Sequence, residues 1–190
     1  AQLSRGLGDV YKRQSQVGRV NKYTAYALLG KVLLYQDKFA EAASALDNVI
    51  GVYSLVSDYG SQFLRFGENG PESVFEIQYS NQSNWYDWGC AHCSEGNYAI
   101  IMNGPRGWSG PEYAQGWSFN VPTEEFYNSF EEGDSRRDAT VLDIEAFAAA
   151  TGASYTEGYD HTGYFNNKYI PRAGESGGQT ELNYLTNFII

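Results

Sequence analysis

A helical period of apolar residues opens the interpretable part of the chain. Between positions 21 and 36, Tyr23, Tyr26, Ala27, Leu29, Gly30, Leu33 and Leu34 follow the three-and-four spacing of one buried face. Gln36-Asp37-Lys38 interrupts the pattern, and Phe39, Ala42, Ala43, Leu46, Val49 and Ile50 restart it. The spacing predicts helices over 21–36 and 38–50, antiparallel because so short a link leaves no other arrangement. Gly51 supplies a stop. Tyr26, Leu29, Gly30 and Leu33, then Ala42, Leu46 and Val49, also fit the offsets of a tetratricopeptide helix pair. Gly30 and Ala42 are small where the helices are expected to cross. A single pair of this kind has faces that it cannot bury by itself.

After Tyr53 the pattern changes. In residues 73–79, Phe75, Ile77 and Tyr79 alternate with Val74, Glu76 and Gln78, which predicts a short strand. Residues 98–102 read as another. Residues 122–130 predict a helix with Thr123 as its cap and Glu124 and Glu125 in the first turn, where the helix dipole favours acids. Residues 134–141 form a charged turn. The stretches 80–96, 104–116 and 151–178 are rich in Gly and read as loop, with at most a short strand at 168–171. The fold class expected is mainly α: a tetratricopeptide-like helix pair, then a long loop-rich region with short strands.

Composition narrows the function. Thirteen Lys plus Arg face 23 Asp plus Glu, for a net charge of -10, which argues against nucleic acid as partner. No uninterrupted apolar stretch approaches the ~20 residues of a membrane-spanning helix. Two Cys do not make a disulfide scaffold, and two His argue against a His-rich metal site. The unusual feature is the 16 Tyr, 10 Phe and 4 Trp, many of them among Gly, Asn and Ser, where a core would not place them. Residues 4–14 read as the in-frame translation of a transposase adapter used in sequencing libraries, so residues 1–14 are expected to be non-native. Residues 15–190 are then one partial domain, with the helix pair in 15–52 and the loop-rich region in 53–190. The apolar run 187–190 has no cap or breaker, so a longer parent protein is expected, with any signal peptide or lipid-attachment Cys upstream.

An ordered set of segments carries a family likeness. It comprises the helical pair 18–50, above all Ala27-Leu28-Leu29-Gly30-Lys31-Val32-Leu33-Leu34-Tyr35, then Tyr53-Ser54-Leu55-Val56, Tyr59 and Glu72-Ser73-Val74-Phe75-Glu76-Ile77-Gln78-Tyr79. Val121-Pro122-Thr123 and Gly133-Asp134-Ser135-Arg136-Arg137-Asp138 follow in order. Together they resemble the SusD/RagB family of glycan-binding lipoproteins on the outer face of the outer membrane of Bacteroidetes. Family chains continue past the region of 187–190 into a further apolar helix. The resemblance implies an α-rich fold with a loop-borne ligand face, which captures an oligosaccharide and delivers it to a SusC-like TonB-dependent transporter. It implies no catalysis, cofactor or metal, and membrane attachment only through an upstream lipid anchor.

The densest aromatic cluster is Asn84-Trp85-Tyr86-Asp87-Trp88, with Trp108, Tyr113 and Trp117 following in loop sequence. A sugar ring offers an apolar C–H face to Trp or Tyr and a belt of hydroxyls to amides and charged groups. Asn84, Asp87, Asn103 and Arg106 are the polar candidates, chosen by proximity. Each Trp has an alternative role as the anchor of its own loop. Cys90-Ala91-His92-Cys93 lacks the strand and helix that a redox motif needs and reads as loop structure, with a short-loop disulfide as one option. Glu131-Glu132 and Asp134-Asp138 are sequence neighbours on a charged turn. Glycosidase carboxylates face each other across a cleft, so solvated surface or Asp–Arg turn pairing is expected instead. Two other classes compete with glycan capture. A tetratricopeptide module would bind a peptide or protein on its helical face, and a carbohydrate-active enzyme would need paired carboxylates.

Overall fold

A computed structural model describes residues 18–80, 89–90, 95–175 and 184–189. The expectation for residues 1–14 lies outside them. Among the described residues the helices outnumber and outsize the four strands, each two or three residues long, in line with the mainly α expectation. The described residues group into two compact units: 18–57, 68–78 and 188–189 in one, and 58–67 with the remainder between 79 and 187 in the other.

The first unit is built on helices α1 (Lys22–Leu34) and α2 (Phe39–Leu46). Asn21 starts α1 as a capping box: its side chain accepts the Tyr23 and Thr24 amides at 2.8 and 3.0 Å, and Thr24 Oγ1 accepts the Asn21 amide. The chain leaves α1 through Asp37, which takes the left-handed conformation (φ 58°), and Lys38 N–H closes the turn on Leu33 O. Gly30 is buried, and a Cβ there would lie 2.5 Å from Leu46 Cγ. The close approach predicted at Gly30 is therefore made against Leu46, while Ala42 and Ala45 are buried elsewhere on α2. The pair does not bury all its apolar surface. Leu28, Leu29, Val32 and Leu34 stay exposed, and an open groove of about 430 Å³ runs along Tyr26, Leu29, Leu33 and Ala45. Thr24 Oγ1 donates to Val74 O, and Asn21 Nδ2 to the Tyr53 hydroxyl, tying α1 to the following segment. The strand predicted over 73–79 is shorter: β1 (Glu76–Ile77) pairs antiparallel with β4 (Phe188–Ile189). Its buried residue is Glu76, whose carboxylate accepts the Asn69 amide at 2.7 Å.

In the second unit the core has two parts. Tyr113, Leu142, Ile144, Phe165 and Ile170 form one, and Ile100, Ile101 and Tyr184 the other. Residues 98–102 are not a strand; α3 (Tyr98–Asn103) is a helix. Asn97 decides this. Its side-chain oxygen accepts the Ala99 amide as an N-cap, while its own amide and Nδ2 donate to Tyr184 O and Thr186 O. α4 (Glu124–Asn128) is capped by Thr123, whose Oγ1 accepts the Phe126 amide, as predicted. The charged turn leads into α5 (Arg136–Thr140), then β2 (Val141–Asp143) and α6 (Ile144–Thr151). Asp143 caps α6, and Gly152 in the left-handed conformation ends it. β3 is Tyr164–Asn166, paired antiparallel with β2 through Leu142↔Phe165. The strand expected at 168–171 is a turn instead, because the partner register places Phe165 in the core.

Candidate functional site

The site begins at a crossing of two glycines. Around Gly104 and Gly116 two loop segments run so close that a Cβ on Gly116 would lie 2.4 Å from Gly104 Cα. Only residues without a side chain permit this approach. Backbone bonds then fix the second segment on the first: Gly116 N–H donates to Pro105 O, Trp117 to Ile101 O, Ser118 to Gly104 O and Phe119 to Met102 O, all between 2.7 and 2.9 Å.

What this crossing presents to solvent is Phe119. It is 49% exposed and stands between Ser118 (φ 57°) and Asn120 (φ 53°), both in the left-handed region, which Ser occupies far less readily than Asn. Strained backbone of this kind concentrates at ligand-binding sites. The Trp117 ring meets Phe119 edge-on at 6.2 Å between centroids. Arg106 lies on the other segment, with its guanidinium 5.7 Å from the Phe119 centroid. Its Nε donates to Trp117 O at 2.7 Å, and its amide donates to Ser118 Oγ. Met102, 39% exposed, and Asn120 stand at the edge. An aromatic ring, a guanidinium held by one nitrogen and a terminal amide thus meet on one rigid loop crossing. An apolar platform flanked by donors is suited to a ring with one apolar face and polar edges.

Of the residues picked from sequence, the structure brings Arg106 and Trp117 together here. Asn103 is beside them but buried: its Nδ2 donates to Ala99 O at 2.6 Å and its Oδ1 accepts from Asn120. It supports the loop rather than facing solvent. Tyr113 lies in the core. It is 6% exposed, its hydroxyl donates to Asn167, and burial pushes its phenol above the ordinary tyrosine range. Trp108 is an anchor too, packed at 5.9 and 6.0 Å from the Tyr113 and Phe147 rings, with Nε1 buried and without a hydrogen-bond partner among the described residues. Trp85, Tyr86, Trp88, Asn84 and Asp87 lie outside the described residues. Phe119 was missed by sequence reasoning; its only signal was an aromatic between Ser and Asn, two residues after a Trp.

The acids behave as turn residues. Arg136 forks onto Asp134, and Arg137 bonds Asp138 at 3.0 Å. Among the described residues no group of three or more His, Cys, Asp or Glu could hold a metal. Cys90 is disulfide-bonded. No described helix is long and apolar enough to cross a membrane.

No family model matches the chain. A SusD-like protein P2 of Formosa agariphila is 28% identical over 87% of this chain and 34% of its own length. A solved laminarin-binding SusD-like protein superposes with a TM-score of 0.87 at 36% identity, over 99% of this chain and 45% of that one. Surface glycan-binding protein A of Bacteroides thetaiotaomicron, solved in complex with laminarihexaose, gives a TM-score of 0.81 at 28% identity over 93% and 41%. The chain thus spans about a third of the curated relative and less than half of the solved ones. The agreement in sequence and in backbone along nearly its whole length supports a SusD/RagB family protein.

Proposed function

We propose that this chain binds an oligosaccharide, without cleaving it, on the loop face that carries Phe119, Trp117 and Arg106. The observation that carries the reading is Phe119 itself: an exposed ring held by left-handed neighbours, beside a guanidinium at 5.7 Å. A half-exposed ring flanked by polar donors offers an apolar face to a sugar and hydrogen bonds to its hydroxyls. The solved relatives named for laminarin and laminarihexaose support a β-glucan as the ligand. Trp85, Tyr86 and Trp88, with Asn84 and Asp87, are further proposed ligand residues. Residues 15–190 are then part of a longer surface lipoprotein of the outer membrane, which passes its glycan to a SusC-like TonB-dependent transporter. Residues 1–14 add nothing to it.

Retention on a laminarin-containing gel tests the reading. The parent is expected to be slowed, and Trp85→Ala, Trp88→Ala and Trp117→Ala each less so, while Trp108→Ala acts through stability. Unretarded parent protein, or parent-like retention of every variant, would sink it. Among the described residues, the exposed Leu28, Leu29 and Val32 of α1 favour a protein-contact role for the helix pair, separate from the glycan face.

A further inference from the structure

A pocket in the same unit shares no residue with the Phe119 platform. It is an open hollow of about 440 Å³, lined by Tyr59, Phe126, Glu131, Asp134, Arg136 and Lys168 among others. Three pieces of backbone meet around it. They are the 3-10 turn Tyr59–Phe63, helix α4 and the start of α5, with α5 packed on the 3-10 turn.

Two of its charged groups are paired before any ligand arrives. Arg136 Nε donates to both oxygens of Asp134 at 2.9 and 3.1 Å and Nη2 to Oδ2 at 2.6 Å, which leaves Nη1 over. The half-buried Lys168 ammonium rests over the Tyr59 and Phe63 rings at 5.1 and 4.8 Å. Among the described residues it has no carboxylate partner, in a chain with a large excess of acids. Two acids, Glu131 and Asp134, balance two bases, Arg136 and Lys168, so the pocket has no net charge to attract an ion. Phe126 is 46% exposed at the rim, edge-on to Phe130 at 5.3 Å. A fixed set of donors and an acceptor beside an exposed ring fits an uncharged ligand with one apolar face and several hydroxyls.

We propose that this pocket is a second carbohydrate site, which takes an uncharged pyranose of the same glycan. Phe126 lies under the sugar's C–H face, Lys168 and Arg136 donate to its hydroxyls, and Glu131 accepts from them. The choice of sugar rests on the glycan-binding reading above; the position does not. Two contacts on one polymer raise its retention without tightening either site.

Two assays on the full chain separate the sites: calorimetric titration with laminarihexaose, and retention on laminarin. Phe119→Ala should weaken hexaose binding without abolishing it, and adding Phe126→Ala or Lys168→Met should weaken it further. Phe126→Ala or Lys168→Met alone should weaken laminarin retention roughly five- to thirty-fold. Lys168→Met keeps the test valid if Phe126→Ala unfolds the chain. If both single variants are retained like the parent while Phe119→Ala abolishes all binding, this proposal fails and the Phe119 site stands. Retention on polygalacturonate in place of laminarin, lost in Lys168→Met, overturns the uncharged class. A parent that binds neither polymer overturns both sites.

Discussion

Replacing Gly116 by alanine tests the framework that holds the proposed glycan face. The new Cβ would sit 2.4–2.6 Å from Gly104 Cα, C and N, all of them backbone atoms with no rotamer to yield. Relief requires the two segments to part by about an ångström, the gap to ordinary contact distance. Overpacking of this kind costs roughly 1–3 kcal/mol. Separation also stretches the bonds from Gly116, Trp117, Ser118 and Phe119, now 2.7–2.9 Å long; losing one or two adds about 1 kcal/mol each. The sum, about 2–5 kcal/mol, should lower the thermal midpoint by roughly 4–20 °C for a chain of this size. Gly133→Ala is the control, because a Cβ there meets nothing within 4 Å and pays only for its positive φ of 82°, about 1–2 kcal/mol. Scanning calorimetry of the parent and both variants decides the matter. If Gly116→Ala melts within about a degree of the parent, or later than Gly133→Ala, the crossing is not the tight contact described.

Three further outcomes are expected. Gly30→Leu should overpack α1 on Leu46, whose Cγ would lie 2.5 Å from the new Cβ, and cost about 1–3 kcal/mol in a urea titration; parent-like stability would refute the helix-pair alignment. The Arg136 guanidinium holds the Asp134 carboxyl down to about 2, so the ion pair's contribution is complete above the ordinary carboxylate value of ~3.9 and disappears as pH falls through the depressed one. Asp134→Asn should thus be less stable than the parent at pH 5, with the gap in urea midpoint closing toward pH 2; a gap independent of pH would contradict the pairing. Tyr113→Phe removes the hydroxyl that bonds Asn167; it should cost about 0.5–1.5 kcal/mol and leave laminarihexaose binding unchanged, and a loss of affinity at parent-like stability would return Tyr113 to the binding face.

What was legible in the sequence is what local chemistry decides. The periodic run through Tyr23, Leu33 and Leu46, the break at Gln36-Asp37-Lys38 and the Thr123 cap all act within a few residues, and each appears in the structure. The failures are long-range. Tyr98-Ala99-Ile100-Ile101-Met102 has the composition of a strand, yet Asn97 makes it a helix by capping it and bonding residues 184 and 186. β3 is placed by its register with Leu142, which no pattern within 151–178 contains. Trp108 and Tyr113 looked like loop aromatics because Leu142, Ile144 and Phe165, which enclose them, come later in the chain. Phe119 was overlooked for the converse reason. Its exposure depends on the left-handed backbone of Ser118 and Asn120 and on the crossing at Gly104 and Gly116, none of which leaves a periodic trace.

The central claim is that a glycan stacks on the Phe119 platform. Its most direct test is a calorimetric titration of laminarihexaose into the parent chain and into Phe119→Ala, with the thermal midpoint of each recorded beside it. A stacked ring is worth roughly 1–2 kcal/mol by analogy with other aromatic contacts, which corresponds to a roughly five- to thirty-fold weaker dissociation constant. The account predicts saturable binding by the parent and that loss in Phe119→Ala at an unchanged midpoint. Absence of binding by the parent, or equal affinity in the two proteins, would contradict it.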